Sequence, residues 1–133
     1  MDDCIFCKIV SRKADALILY ESESVISFLP LRPEVYGHTL IAPKSHYADI
    51  YEIPDDSLND LIAAAKTHAL SYRARIGATG INLMHASGKD GEQSVFHFHF
   101  HLLPRFHDDG LKTWPMLPGT NISREAMHAM LRI

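Results

Sequence analysis

No apolar run in this 133-residue chain approaches the ~20 residues a helix needs to span a bilayer, so no membrane partner is expected. Clustered cations are missing as well. Thirteen Lys and Arg stand against sixteen Asp and Glu, for a formal charge of −3. A surface dedicated to nucleic acid needs grouped Lys and Arg to neutralise phosphates, which argues against such a partner. A single nucleotide needs only a few well-placed donors and stays open. The start, MDDCIFCKIV, is acidic, and its apolar stretch is too short for a signal-peptide core. The expected location is the cytoplasm, where the Asn121-Ile122-Ser123 sequon carries no meaning.

Cysteine is scarce too, with only Cys4 and Cys7. In a reducing compartment a lone CxxC is more often a metal half-site or a redox pair than a structural disulfide. The redox option wants a strand before the motif, and none precedes it here. Half of a zinc site is the better reading, and it needs two more ligands. Repeats, low-complexity tracts and linkers are absent, so one domain over 1–133 is expected, with a C-terminal tail and helix at about 107–133. A chain of this length buries roughly two thirds of its unfolded surface and can fold without staples.

Alternating or β-rich runs predict strands near 16–22, 24–30, 38–43, 81–85 and 94–104. A short Glu/Ser turn joins the first two into a hairpin. One strong helix opens at Pro54-Asp55-Asp56, with acidic residues at the positive end of its dipole. Leu58, Leu61, Ile62, Ala65, Ala69 and Tyr72 recur at helical spacing, and Gly77 closes it. A second helix, about Ser123 to Arg132, carries Ala126, Met127, Met130 and Leu131 on one stripe. Hairpin-linked strands with two helices predict an α+β fold built on an antiparallel sheet.

The last predicted strand carries the chemistry. In VFHFHFHLLPR, His97, His99 and His101 alternate with Phe96, Phe98 and Phe100. Successive strand side chains face opposite ways, which sends the phenylalanines to the long helix and the histidines to a wet face. A lone histidine is usually structural or superficial, the reading given to His68, His107 and His128. Three in five residues are another matter. Two could reach one catalytic zinc, although the third sits awkwardly for the same ion. Alternatively one neutral imidazole attacks as a nucleophile while its neighbours hold an anion. Upstream, the loop from Gly88 to Ser94 offers glycines for close approach and the side-chain donors Gln93 and Ser94, enough to cradle a phosphate. It also reads as an ordinary glycine-containing loop.

QSVFHFHFHLL at 93–103 resembles the signature of the histidine triad (HIT) family. CIFCKIV at 4–10, SFLPLRPEVYGHTLIAPKSH at 27–46, GINLMHASG at 80–88 and HLLPR at 101–105 follow the family order. The CIFCKI opening resembles the bacterial-type, Hint-like branch. The resemblance implies about five antiparallel strands with two helices, in a homodimer whose sheets join. It implies hydrolysis or transfer at a nucleotide α-phosphate, with phosphoramidate or dinucleoside polyphosphate substrates. His99 would attack phosphorus to form a nucleotidyl-histidine, which water then hydrolyses. Gln93, Ser94, His101 and His38 would contact phosphate or leaving group. It also supplies the missing zinc ligands, because Cys4, Cys7, His46 and His97 match a structural Cys₂His₂ zinc site. Two positions depart from the family. The ribose-binding acidic or amide residue eight before His38 is Pro30, and the Asn or Gln seven before Gln93 is Ala86, for which His85 or Ser87 would have to compensate. Trp114 in the tail fits either a partner's site or plain packing. Two rival functions follow, a nucleotide-binding module with little turnover and a zinc hydrolase using the strand histidines.

Overall fold

A computed structural model of the chain describes residues 3–133. The elements run α1 (Ile5–Val10), β1 (Ile18–Glu21), β2 (Val25–Phe28), β3 (Thr39–Pro43), α2 (Asp55–Ile76), β4 (Gly80–Met84), β5 (Phe100–Arg105) and α3 (Arg124–Leu131). The strands form one antiparallel sheet in the order β1-β2-β3-β5-β4. The expected α+β sheet is present, with three α-helices among the described residues rather than two. The addition is α1, whose six residues are too short to display a helical period. Cys4 caps it, its Sγ accepting from the Cys7 amide at 3.4 Å.

Each face of the sheet has its own apolar core. On one side α2 lays Leu61, Ala64 and Ala65 against Val25, Ile41, Phe98 and Leu102. On the other, α1 lays Phe6 and Ile9 over Ile26, Phe28, Leu40 and Ala42. Strands covered on both faces should read as unbroken apolar runs, and VISF and TLIAP are buried at every residue. The long helix runs as its signals predict, with Asp55 and Asp56 in its first turn and Gly77 left-handed at φ 71° beyond its end. Ile62, counted into the apolar stripe, is half exposed, while His68 takes a buried place on the inner face.

His68 is satisfied there by two bonds. Its Nδ1–H donates to the Ala64 carbonyl at 2.7 Å, so Nε2 accepts the Ser27 hydroxyl, also at 2.7 Å. This joins α2 to β2 through the core. Ser27→Ala should destabilise the fold by about 1–3 kcal/mol, because it strands a buried acceptor. Urea denaturation checks this, and an unchanged midpoint would show that the bond contributes nothing.

The histidine-rich stretch departs from the expected strand. β5 begins only at Phe100; residues 94–97 form bends and 98–99 lead into it without regular structure. Phe98 and Phe100 pack on the α2 side as expected, but Phe96 is 51% exposed. The histidine face is not wet: His97 and His99 are buried. The cause is α1, whose Phe6 meets both imidazoles edge-on, at 5.6 Å and 5.1 Å. Among the described residues no helix is long and apolar enough to cross a membrane. The helix stripe on α3 stays largely exposed: no α3 residue is buried, and Met127 alone of the stripe is half-buried.

Candidate active site and metal centre

His99 sits where the bends enter β5, and its neighbours determine where its proton lies. Its Nδ1 lies 2.7 Å from the His97 carbonyl, which can only accept, so Nδ1 carries the hydrogen. In the neutral ring Nε2 then holds a free lone pair. Burial, above all, pushes the His99 pKa down to about 4, with the His101 and His85 charges adding to the effect. The ring is neutral near pH 7.

A second chain of bonds orients His101. The Glu34 amide donates to His38 Nδ1 at 3.1 Å, so His38 carries its proton on Nε2. That proton is donated to His101 Nδ1 at 2.9 Å, leaving the His101 proton on Nε2. Two adjacent imidazoles, their rings 5.0 Å apart, thus differ in kind: His99 keeps a lone pair, and His101 keeps a donor. Burial lowers the pKa of both His38 and His101, which protects this pattern. Gly37 makes the approach of His38 possible. Its φ is +83°, and a Cβ there would stand 2.7 Å from Pro104, so an L side chain is excluded twice over.

His99, His101 and Ser94 lie on the wall of a cavity of about 590 Å³. Most of its remaining wall is apolar, with Ile5, Phe6 and Ile9 from α1 facing Phe28, Leu29 and Leu40. Few polar groups in an apolar cleft are the usual make-up of a small-molecule site. Pro30 lies on this wall, while Gln93 does not. The Gln93 amide is spent on backbone: it accepts from Gly88 N at 2.8 Å and donates to the Ala48 and Val95 carbonyls at 2.6 and 3.0 Å. It shapes the loop that presents Ser94.

His85 and Ser87 brace the same site from behind. The Ile50 amide donates to Ser87 Oγ at 2.9 Å, and the Ser87 hydroxyl donates to His85 Nε2 at 2.5 Å. His85 Nδ1–H then donates to the His99 carbonyl at 2.9 Å, with its ring stacked 4.2 Å over Phe98. Backbone on either side of the His99 ring is therefore tied down. Phe6 is a further site residue that sequence reasoning passed over, and its place between two cysteines gave no sign of it. Trp114 stands 83% exposed, away from any core.

The four residues expected to bind zinc converge. Cys4 Sγ lies 3.4 Å from His97 Nδ1, and Cys7 Sγ lies 3.4 Å from His46 Nδ1 and 3.6 Å from His97 Nδ1. All four ligand atoms are within 4.8 Å of one another. His97 Nε2–H donates to the Pro43 carbonyl at 2.7 Å, which turns the Nδ1 lone pair toward the thiols. Zn–S and Zn–N bonds of about 2.3 and 2.0–2.1 Å imply S···N edges of roughly 3.6 Å in a tetrahedron. The observed edges fit such an ion, and a backbone carbonyl orienting a ligand imidazole is the usual supporting contact. His97 thus faces the thiols, and the three triad imidazoles do not converge on a common point.

Comparison with known proteins places these features. A family model described as HIT domain matches residues 11–108. An uncharacterised HIT-like protein of Methanocaldococcus jannaschii is 40% identical over 107 residues, covering 80% of this chain and 82% of that one. Adenosine 5'-monophosphoramidase of Saccharomyces cerevisiae is 37% identical over 102 residues, covering 77% and 62%. The crystal structure of a zinc-bound histidine triad family protein from Mycobacterium smegmatis superposes with a TM-score of 0.81 at 36% identity, covering 84% and 81%.

Proposed function

The chain belongs to the HIT domain family, and from that premise we propose that it is a nucleotide phosphohydrolase or nucleotidyl transferase acting at the α-phosphate of phosphoramidates or dinucleoside polyphosphates. One observation carries the reading: the His99 ring is pinned through Nδ1–H, leaving Nε2 free in the cavity beside a donor from His101. The Nε2 lone pair forms an N–P bond while the bond from phosphorus to the leaving group breaks. The leaving group departs with that electron pair and is protonated by solvent. Water then adds to phosphorus, the N–P pair returns to Nε2, and the water's proton is released. His101 and Ser94 donate to the phosphoryl oxygens, where negative charge grows in the transition state. His38 fixes the His101 tautomer, and Gln93 acts through the loop. Adenosine 5'-monophosphoramidase as a relative supports a phosphoramidate as the first substrate to try.

Cys4, Cys7, His46 and His97 bind one structural zinc in this reading, because two thiolates and two imidazoles complete a tetrahedron and leave no open position. That orientation of His97 is also why the zinc-hydrolase alternative has less support. A second copy of the chain covers the exposed Trp114, Met116, Met130 and Leu131. A homodimer by light scattering is the expected result, and a monomer at micromolar concentration contradicts it.

The direct test is a substrate panel of purine phosphoramidates and dinucleoside polyphosphates, read for nucleoside monophosphate release, with mass spectrometry of the quenched enzyme. The expected result is release together with a nucleotidyl adduct on His99. Nucleotide binding without release from any member would favour the binding module instead.

A further inference from the structure

On the far side of the sheet from the cleft lies a chain of hydroxyls that ends beside the histidines. Side chains alternate along a strand, so His38 and Leu40 face the cleft while Thr39 and Ile41 face α2. Thr39 is fully buried, and its Oγ1 meets the Tyr72 hydroxyl at 2.6 Å. The Thr39 hydroxyl donates to the Gly37 carbonyl at 2.9 Å, and it has one hydrogen to give. Tyr72 is therefore the donor to Thr39. Burial pushes the Tyr72 pKa up, which keeps that proton in place. His68, one turn earlier on α2, does not compete for it, because both its nitrogens are engaged by Ala64 and Ser27.

The Gly37 carbonyl needs this partner. Thr39 pairs with Leu102, a register that sets Gly37 opposite Pro104, and proline has no N–H to donate. A Cβ at Gly37 would stand 2.7 Å from Pro104 and 3.5 Å from Ile76 Cδ1, so the turn also rests on the end of α2. Tyr72 and Ile76 are four apart on one helix face, and the helix holds residues 37–39 at two points. That segment delivers His38, whose amide donates to the Val35 carbonyl at 3.1 Å and whose Nδ1 accepts from the Glu34 amide, also at 3.1 Å. A buried carbonyl deprived of its donor turns to find another, and the peptide that would rotate is the one joining Gly37 to His38. Glycine resists such a rotation little. The bond at stake, His38 Nε2–H to His101 Nδ1 at 2.9 Å, weakens steeply once its angle departs from linear.

We infer that Thr39, anchored by Tyr72, is a positioning residue for His101, acting across the sheet through the Gly37 carbonyl and the His38 ring. This rests on the reading of His101 as a donor to phosphate. Neither hydroxyl touches substrate. Their effect is to hold the turn that keeps the His38 Nε2 proton aimed at His101, and so keeps the His101 proton on the nitrogen that faces the cleft.

Nitrogen-15 NMR of histidine-labelled protein reads each tautomer directly, and steady-state release of nucleoside monophosphate reads the consequence. At neutral pH the wild type should show His38 and His101 both protonated at Nε2. Thr39→Val keeps the shape and removes the hydroxyl. It should move His101 to a mixture of tautomers and lower kcat about 10-fold while KM changes little. Thr39→Ser returns the hydroxyl and should return both readouts. Tyr72→Phe should give the same changes in smaller degree, and adding it to Thr39→Val should cost nothing more, because the chain is already cut. A folded Thr39→Val with wild-type histidine spectra overturns the inference, as do spectra that move while kcat holds. So does a loss that Thr39→Ser fails to restore, which would make Thr39 a packing residue only. If Thr39→Val does not fold, Tyr72→Phe decides: altered His101 signals support the inference and unaltered ones overturn it. A wild type without turnover, in which the tautomers still shift as expected, would count against the proposed catalysis and leave the tether to His101 standing.

Discussion

His99→Asn is expected to lower nucleoside monophosphate release on the order of 10⁴-fold or more, the scale seen when a covalent nucleophile is removed. The choice of asparagine follows from the hydrogen bonds around the ring. The His99 Nδ1–H donates to the His97 carbonyl at 2.7 Å, and an asparagine amide can make the same kind of bond. Packing beneath Phe6 is disturbed little. What disappears is the Nε2 lone pair, because an amide nitrogen has none to give. Substrate binding should change only a few-fold, as the His101, Ser94 and apolar contacts persist. Single-turnover kinetics separate the two effects, and mass spectrometry should find the adduct in the wild type and none in the variant. Normal release by His99→Asn would sink the covalent mechanism. His101→Ala makes the contrast: it removes a donor, so the adduct should still form but about 10²–10³-fold more slowly.

Metal removal is the second large effect. Purified wild type is expected to hold about one zinc per chain by elemental analysis, and Cys4→Ser to hold none. A ligand present at 1,000 times its dissociation constant stabilises the fold by about 4 kcal/mol. For a domain of this size that corresponds to a fall in melting temperature of about 10–15 °C on chelation. The loss should be felt at the catalytic centre as well. The proposed ligands Cys4, which caps α1, and Cys7 flank Phe6, and Phe6 packs edge-on against His99. Chelation should thus increase hydrogen exchange in α1 and residues 94–99 before it does so in α2. Metal-free wild type grown with zinc, or a melting temperature unmoved by chelation, would refute the site.

How much of this was legible beforehand varied with the kind of signal. Local, periodic features came through: α2 with its acidic start and Gly77 stop, the β1–β2 hairpin, and the alternation that sends Phe98 and Phe100 to one side. Resemblance to a family pattern also made the proposed zinc ligands recognisable, although His46 and His97 are separated from Cys7 by 39 and 90 positions. Short elements did not come through. Six residues of α1 span less than two turns, too few for a period to stand out from noise, so the cover over the histidine face went unseen. Without that cover, alternation alone suggested a wet face.

By itself, then, the sequence determined the family, the antiparallel sheet and the residue types at the site, because each depends on spacing along one chain. Only the tertiary structure decided how each imidazole is held. Chemically identical side chains were told apart by single backbone groups brought from elsewhere: the Pro43 carbonyl turns His97 toward the thiols, the His97 carbonyl frees Nε2 of His99, and His38 makes a donor of His101. A tautomer is set by the partner across a hydrogen bond, and those partners come from different strands.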